Sequence, residues 1–313
     1  MSNEKILITG GAGYIGSMLA TKLIEKGYKV TVIDNLRFSK NSLDHLLIYR
    51  NFKFIYGDVR NKNLIKKNIK KHNIIIPLAA LVGAPLCEKY KKEAKEINFE
   101  SIKYMLKIVN KKQKIIFPTT NSGYGIGQKG KYCDENSPLN PISFYGKTKV
   151  DAEKIVLKFK NSICFRLATI FGYSYRMRTD LLVNNFAYKA LKYKKLKLYE
   201  PHFRRNYIHI LDVVRAFIFA IEEFNKLKSN TYNLGLSSAN LTKLMLAKKI
   251  KRQFKDLKIS IIKNRKDPDQ RDYYVSNKKI EKKGFKAKIK IESGVNELIK
   301  IFTNSKENII NNY

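Results

Sequence analysis

Tyr145 and Lys149 stand four apart in Tyr145-Gly146-Lys147-Thr148-Lys149, the spacing that sets two side chains on one face of a helix. An ammonium beside a phenol lowers the phenol's pKa from about 10, so a tyrosine can take a proton from an alcohol near neutrality. Far upstream, the apolar run Lys5–Thr9 leads into Thr9-Gly10-Gly11-Ala12-Gly13-Tyr14-Ile15-Gly16. A glycine-rich turn between a strand and a helix lets backbone amides close on a pyrophosphate, whose charge the helix N-terminus favours. Each string is weak alone; their order and separation together point to a nicotinamide enzyme that oxidises an alcohol. Asp34 ends the next apolar run, eighteen residues beyond Gly16. There an acid can bond the adenosine ribose hydroxyls, which favours NAD over NADP, while Arg37 and Lys40 close by leave a 2′-phosphate site open as the alternative.

These groups need a frame that holds them at one place. Ile15, Leu19 and Leu23 recur at helical spacing after the glycine turn, and Gly27 supplies a stop. Lys29–Asp34, Phe52–Tyr56 and residues 74–76, 114–117 and 163–166 are short runs rich in Ile, Val and Phe, separated by helical patterns. Such alternation predicts an α/β fold, a Rossmann-type doubly wound parallel sheet with the ligand over the carboxyl ends of the strands. Beyond Ala168 the alternation fades, residues 172–180 and 199–205 read as loops, and a helical pattern at 211–224 returns to the sheet. The expected division is residues 1–168 as the NAD-binding domain, with 206–225 returning to it, and 169–313 mainly as a smaller, interwoven substrate-binding lobe.

The net charge of +37 over 313 residues raises a nucleic-acid reading. Most of it is lysine, spread through helices and turns with abundant Asn and Ile, the mixture that AT-rich codons produce; a solvated lysine surface and no specific nucleic-acid partner are expected. Cys87, Cys133 and Cys164 are scattered, without paired metal-ligand spacing, and read as reduced thiols with no metal site. The first strand begins close to Met1 and no apolar stretch is long enough to span a membrane, so a cytoplasmic enzyme without leader or anchor is expected.

The GxxGxxG spacing of Gly10, Gly13 and Gly16 resembles that of the short-chain dehydrogenases/reductases. The whole chain is similar to the extended, NAD-dependent nucleotide-sugar epimerase/dehydratase family. The resemblance implies a cofactor set of Gly10, Gly13, Tyr14, Ile15, Gly16, Asp34, Asn35, Asp58 and Val59 (in Gly57-Asp58-Val59, toward the adenine), Leu78, Ala79 and Ala80 (beside the pyrophosphate and ribose), Asn98, Tyr145 and Lys149. It places Thr120 where the family has the Ser or Thr that bonds the reacting oxygen. Family 4,6-dehydratases and decarboxylases carry acidic residues just after that hydroxyl, whereas Asn121 and Ser122 follow here. An amide and an alcohol cannot replace a carboxyl tuned to exchange protons, so the parts for oxidation are present and those for eliminating water are missing.

For the substrate the resemblance implies Val82, Thr120, Asn121, Ser122 and Asn185, with Arg205 (in Arg205-Asn206-Tyr207-Ile208-His209) and Arg271 as two guanidinium forks on a diphosphate. Thr169 stands where the family commonly has asparagine. His202 and His209 are expected to be structural. Tyr173, Tyr175, Arg176 and Arg178 form an aromatic and basic loop, read equally as a clamp or a solvated turn. Leu81-Val82-Gly83-Ala84-Pro85 and residues 119–127 and 267–273 resemble the GDP-D-glycero-α-D-manno-heptose 4-dehydrogenases of capsule biosynthesis. That implies tightly bound NAD, a 4-keto product and NADH reoxidised by a second ketone such as 2-oxoglutarate, with a 4-epimerase as the alternative. Family members commonly pair through the tyrosine helix and the one before it, here about 145–159 and 94–109, so a homodimer is expected.

Overall fold

The computed structural model describes residues 4–128, 130–262 and 271–304. Lys5–Thr9, Lys29–Asp34, Ile74–Pro77 and Ser162–Leu167 are buried almost throughout. Such strands have no solvated face and demand a sheet covered on both sides. They lie in a seven-stranded sheet, parallel at every pair, in the order Asn230–Leu234, Ser162–Leu167, Lys114–Thr120, Ile74–Pro77, Lys5–Thr9, Lys29–Asp34, Phe52–Tyr56. Successive side chains point to opposite faces. Ile6 and Ile8 therefore join the apolar layer of Leu19, Val213 and Phe217, while Leu7 joins Ile65, Ile102 and Val156 on the other face. The strand order reverses between Lys5–Thr9 and Ile74–Pro77, which opens a crevice at their carboxyl ends.

The return to the sheet differs from the expected 206–225. Arg204–His209 pairs with Thr169–Phe171 and Asn240–Thr242 in a separate three-stranded sheet, and only the helix Ile210–Glu222 packs on the main layer, beside Tyr14–Glu25. The strand that does return is Asn230–Leu234, beside Ser162–Leu167. Three of its five residues, Asn-Thr-Tyr-Asn-Leu, are polar, and it lies buried because Asn233 bonds the Tyr124 hydroxyl and the Cys133 and Ser276 carbonyls. The helix expected at 94–109 is likewise divided into Lys91–Lys95, a π turn at Glu96–Glu100, and Ser101–Ile108.

Lysines that look scattered in sequence gather in space. Lys5, Lys29, Lys53, Lys67, Lys70, Lys71 and Lys112 rim two shallow concavities at the amino ends of the strands, the edge away from the crevice. Among the described residues no helix is long and apolar enough to cross a membrane.

Candidate active site

The crevice is a cleft of about 520 Å³. Its cofactor half is shaped by close backbone approach. Gly10 has φ +72°, and a Cβ there would stand 2.4 Å from the Ala79 amide nitrogen; one at Gly16 would stand 2.5 Å from the Gly11 Cα. Gly13 caps the helix Tyr14–Glu25 with no side-chain bond, and the first turn carries no acid, so its amides face the cleft without an internal anion. Asp34 accepts from the Ala12 amide (3.0 Å) and the Leu36 amide (2.8 Å), and burial raises its pKa against those two bonds. Arg37 bonds Glu93 at 2.6 Å, which occupies the charge that a 2′-phosphate would need. Asn35 donates to Asp58 at 3.1 Å.

Lys114–Thr120 and the helix Phe144–Val156 bring the reacting groups together. Ser143 caps that helix, its Oγ accepting from the Gly146 amide at 3.1 Å, so Tyr145 stands in the first turn. Thr120 hydrogen-bonds the Tyr145 side chain and donates to Ser122 Oγ at 2.9 Å. Lys149 is 4% exposed, its Nζ 4.1 Å from the centre of the Phe117 ring. Burial pushes Lys149 down to about 7 and lifts Tyr145 up to about 12, against the Arg271 and Arg178 charges that pull the phenol down. The expected depression of Tyr145 by Lys149 is thus corrected: a lysine titrating near 7 carries only a partial charge at neutrality. Cys87, pushed up to about 12 by burial, is a neutral thiol beside them.

Two expected site residues do not line the cleft. Asn98 is buried in the π turn; its amide accepts from the Leu81 N–H (2.9 Å) and donates to the Leu81 carbonyl (3.0 Å) and Thr148 Oγ1 (3.2 Å). It braces the cofactor loop against the tyrosine helix and does not reach the ligand space. Asn121 is 1% exposed, and neither amide atom has a hydrogen-bond partner among the described residues. It starts a 3-10 turn that directs its side chain into the protein while Ser122 reaches the cleft.

The remaining expected residues line the cleft together, Val82, Thr120, Ser122, Asn185, Arg205 and Arg271 on the substrate side. Arg205 points inward on Arg204–His209, 2% exposed, whereas Arg204 pairs with Asp272 at 2.9 Å. Arg271 donates to Ser122 Oγ and reaches the Tyr273 hydroxyl at 3.4 Å. Asp267, Pro268, Asp269 and Gln270 of the same string lie outside the described residues. The loop after Phe171 divides its roles: Arg178 pairs with Asp180, Tyr175 stacks on His45 at 4.0 Å, and Arg176 enters the cleft. His209 is fully buried, caps Ile210–Glu222 and faces Glu297 at 3.3 Å, and neither it nor His202 lines the cleft. Asp180 and Lys243 line it unanticipated. Lys243 is 3% exposed and donates to the Tyr199 carbonyl at 2.8 Å; with 63 Lys and Arg in the chain, one more lysine gave no contrast.

The sequence profile of the NAD dependent epimerase/dehydratase family matches residues 6–235. The chain belongs to that family. Among curated relatives, a dTDP-D-glucose 4,6-dehydratase of Dictyostelium discoideum is 31% identical over 271 residues, which cover 79% of this chain and 61% of that protein. A putative UDP-glucose 4-epimerase of Methanocaldococcus jannaschii is 27% identical over 314 residues, 96% of this chain and 99% of its own. Among solved structures, the dTDP-glucose 4,6-dehydratase of Bacillus anthracis in complex with NAD superposes with a TM-score of 0.83 at 23% identity, over 97% of each chain. NAD is the cofactor of the epimerase/dehydratase family, and this cleft fits it: Gly10, Gly13 and Gly16 line it at the uncapped amino end of Tyr14–Glu25, and the Asp34 carboxylate lines the same half.

Proposed function

We propose that the enzyme oxidises C4 of a nucleotide-activated sugar to the 4-keto sugar and releases it. GDP-D-glycero-α-D-manno-heptose is the favoured substrate and capsular polysaccharide the destination. One observation carries the reading. Thr120, Tyr145 and Lys149 meet in the cleft, while the only described acids lining it are Asp34 and Asp58 on the cofactor side and Asp180, already paired with Arg178. Tyr145 takes the proton of the C4 hydroxyl, Thr120 holds that oxygen, and Lys149 supplies charge that favours the phenolate. Bound NAD supplies the hydride acceptor. Arg205 and Arg271 hold the diphosphate, with Asn185 and Val82 beside them. Among the described residues, no carboxyl next to Thr120 is free to pass a proton to a leaving hydroxide.

The heptose preference rests on the local strings Leu81 to Pro85, Thr119 to Gly127 and Asp267 to Tyr273. Release of the ketone requires a second ketone, such as 2-oxoglutarate, to reoxidise NADH. The NAD-binding part is taken as 1–168 with its returning segments, the rest mainly holds the sugar nucleotide, and the enzyme works in the cytoplasm as a homodimer with tightly held NAD. Full-length similarity to a putative UDP-glucose 4-epimerase supports a second reading, return of the hydride to the other face. Incubation with GDP-heptose and a 2-oxoacid should give a product two mass units lighter. Loss of water, or unchanged mass with C4 inverted, would reject it, and turnover of UDP-hexoses alone would reject the heptose.

A further inference from the structure

Arg176 lines the cleft with 1% of its surface exposed, and its Nε and Nη2 have no hydrogen-bond partner among the described residues. Its Nη1 reaches only the Met177 carbonyl, at 3.3 Å, and its guanidinium lies 5.4 Å from the centre of the Phe38 ring. The nearby carboxylate, Asp180, is taken by Arg178. A buried charge left uncompensated is unfavourable in a folded chain unless a ligand completes it. Burial draws Arg176 down to about 10, which still leaves it charged at neutral pH.

The loop that carries Arg176 is fastened to the amino end of the helix Tyr14–Glu25. The Tyr14 hydroxyl donates to the Gly172 carbonyl at 2.6 Å, Ser174 Oγ donates to the Tyr14 carbonyl at 2.7 Å, and the Arg176 amide donates to Ser174 Oγ at 3.2 Å. That helix end has neither a side-chain cap nor an acid in its first turn. We propose that Arg176 is a diphosphate clamp, adding a guanidinium fork to the backbone amides of the glycine turn and closing on the pyrophosphate of NAD. A guanidinium with two open donors bonds two phosphate oxygens at once. The inference rests on NAD filling the cleft and is independent of which sugar is oxidised.

The test uses enzyme stripped of NAD, in wild-type, Arg176→Met and Arg176→Lys forms, titrated with NADH, ADP-ribose, adenosine, GDP and UDP. Arg176→Met should weaken NADH and ADP-ribose at least ten-fold, leave adenosine within two-fold, and leave GDP or UDP binding to NAD-loaded enzyme within two-fold. Arg176→Lys should recover part of the loss. The stripped Arg176→Met enzyme should melt at or above the wild-type temperature, since a stranded charge has gone; an arginine that merely supports the fold would lower it. Unchanged ADP-ribose affinity would overturn the proposal, as would equal losses for adenosine and ADP-ribose. A loss confined to GDP and UDP would also overturn it, moving Arg176 to the sugar nucleotide's diphosphate. If the methionine variant does not fold, the lysine variant carries the same comparison of ADP-ribose with adenosine.

Discussion

Burial works against Tyr145 and Lys149 alike, raising the phenol to about 12 and lowering the ammonium to about 7. Their spacing in sequence announced the pair, but protonation depends on what the rest of the chain packs over them, which no local string encodes. Asn121 shows the same limit: its position suggested a substrate contact, and a 3-10 turn sends it inward. Tyr145→Phe removes only the proton acceptor. Turnover should fall about 10²–10⁴-fold, with NAD still recovered from the purified protein; near-normal turnover would take Tyr145 out of the mechanism. A general base must lose its own proton first, so kcat/KM should climb with pH toward the Tyr145 ionisation. A positive neighbour favours the phenolate, and the charges that pull Tyr145 down are Arg271 and Arg178, so Arg271→Met should shift that ascending limb to higher pH, and an unmoved limb would show that Arg271 does not tune the phenol.

The helix Phe144–Val156 keeps its place through a buried ion pair with the neighbouring strand. Arg166 in Ser162–Leu167 bonds Glu153 at 2.6 Å, with side chains 6% and 2% exposed, and also donates to the Tyr124 hydroxyl at 2.9 Å. Taking away one partner strands the other charge in the interior, so Arg166→Met should cost about 3–5 kcal/mol in denaturant unfolding and loosen the helix that carries Tyr145. A stability within 1 kcal/mol of wild type would show that Glu153 finds another partner or a proton. Strands with unbroken β-branched character, such as Lys29–Asp34, were legible in sequence to their ends. Asn230–Leu234 was hidden because tertiary hydrogen bonds, and not apolar side chains, make it a buried strand. The π turn at Glu96–Glu100 was hidden for a related reason: it exists to turn Asn98 onto Leu81, a contact seventeen residues away.

At the scale of the whole molecule, the net charge of +37 and the proposed homodimer pull in opposite directions. Of the apolar residues on the two helices expected to pair, Ile97 and Val150 are already buried within the chain, at 7% and 3% exposure. Leu106 and Leu157 remain partly open, alongside Ile108, Ile155 and Phe159. Lys103, Lys107, Lys154, Lys158 and Lys160 are exposed on or just beyond the same helices, against Glu100 and Asp151, so a second copy brings an excess of like charge to that apolar surface. Salt screens such repulsion, with a Debye length of about 10 Å at 0.1 M and about 3 Å at 1 M. The dimer should therefore tighten as salt is raised, whereas binding to any nucleic acid, which releases counterions, should weaken over the same range. Sedimentation of the enzyme across a salt series, alone and with a random oligonucleotide, reads both slopes. A monomer at every salt concentration would reject the dimer, and tight binding to one defined sequence at physiological salt would give the cationic strand edge a recognition role that simple charge does not supply.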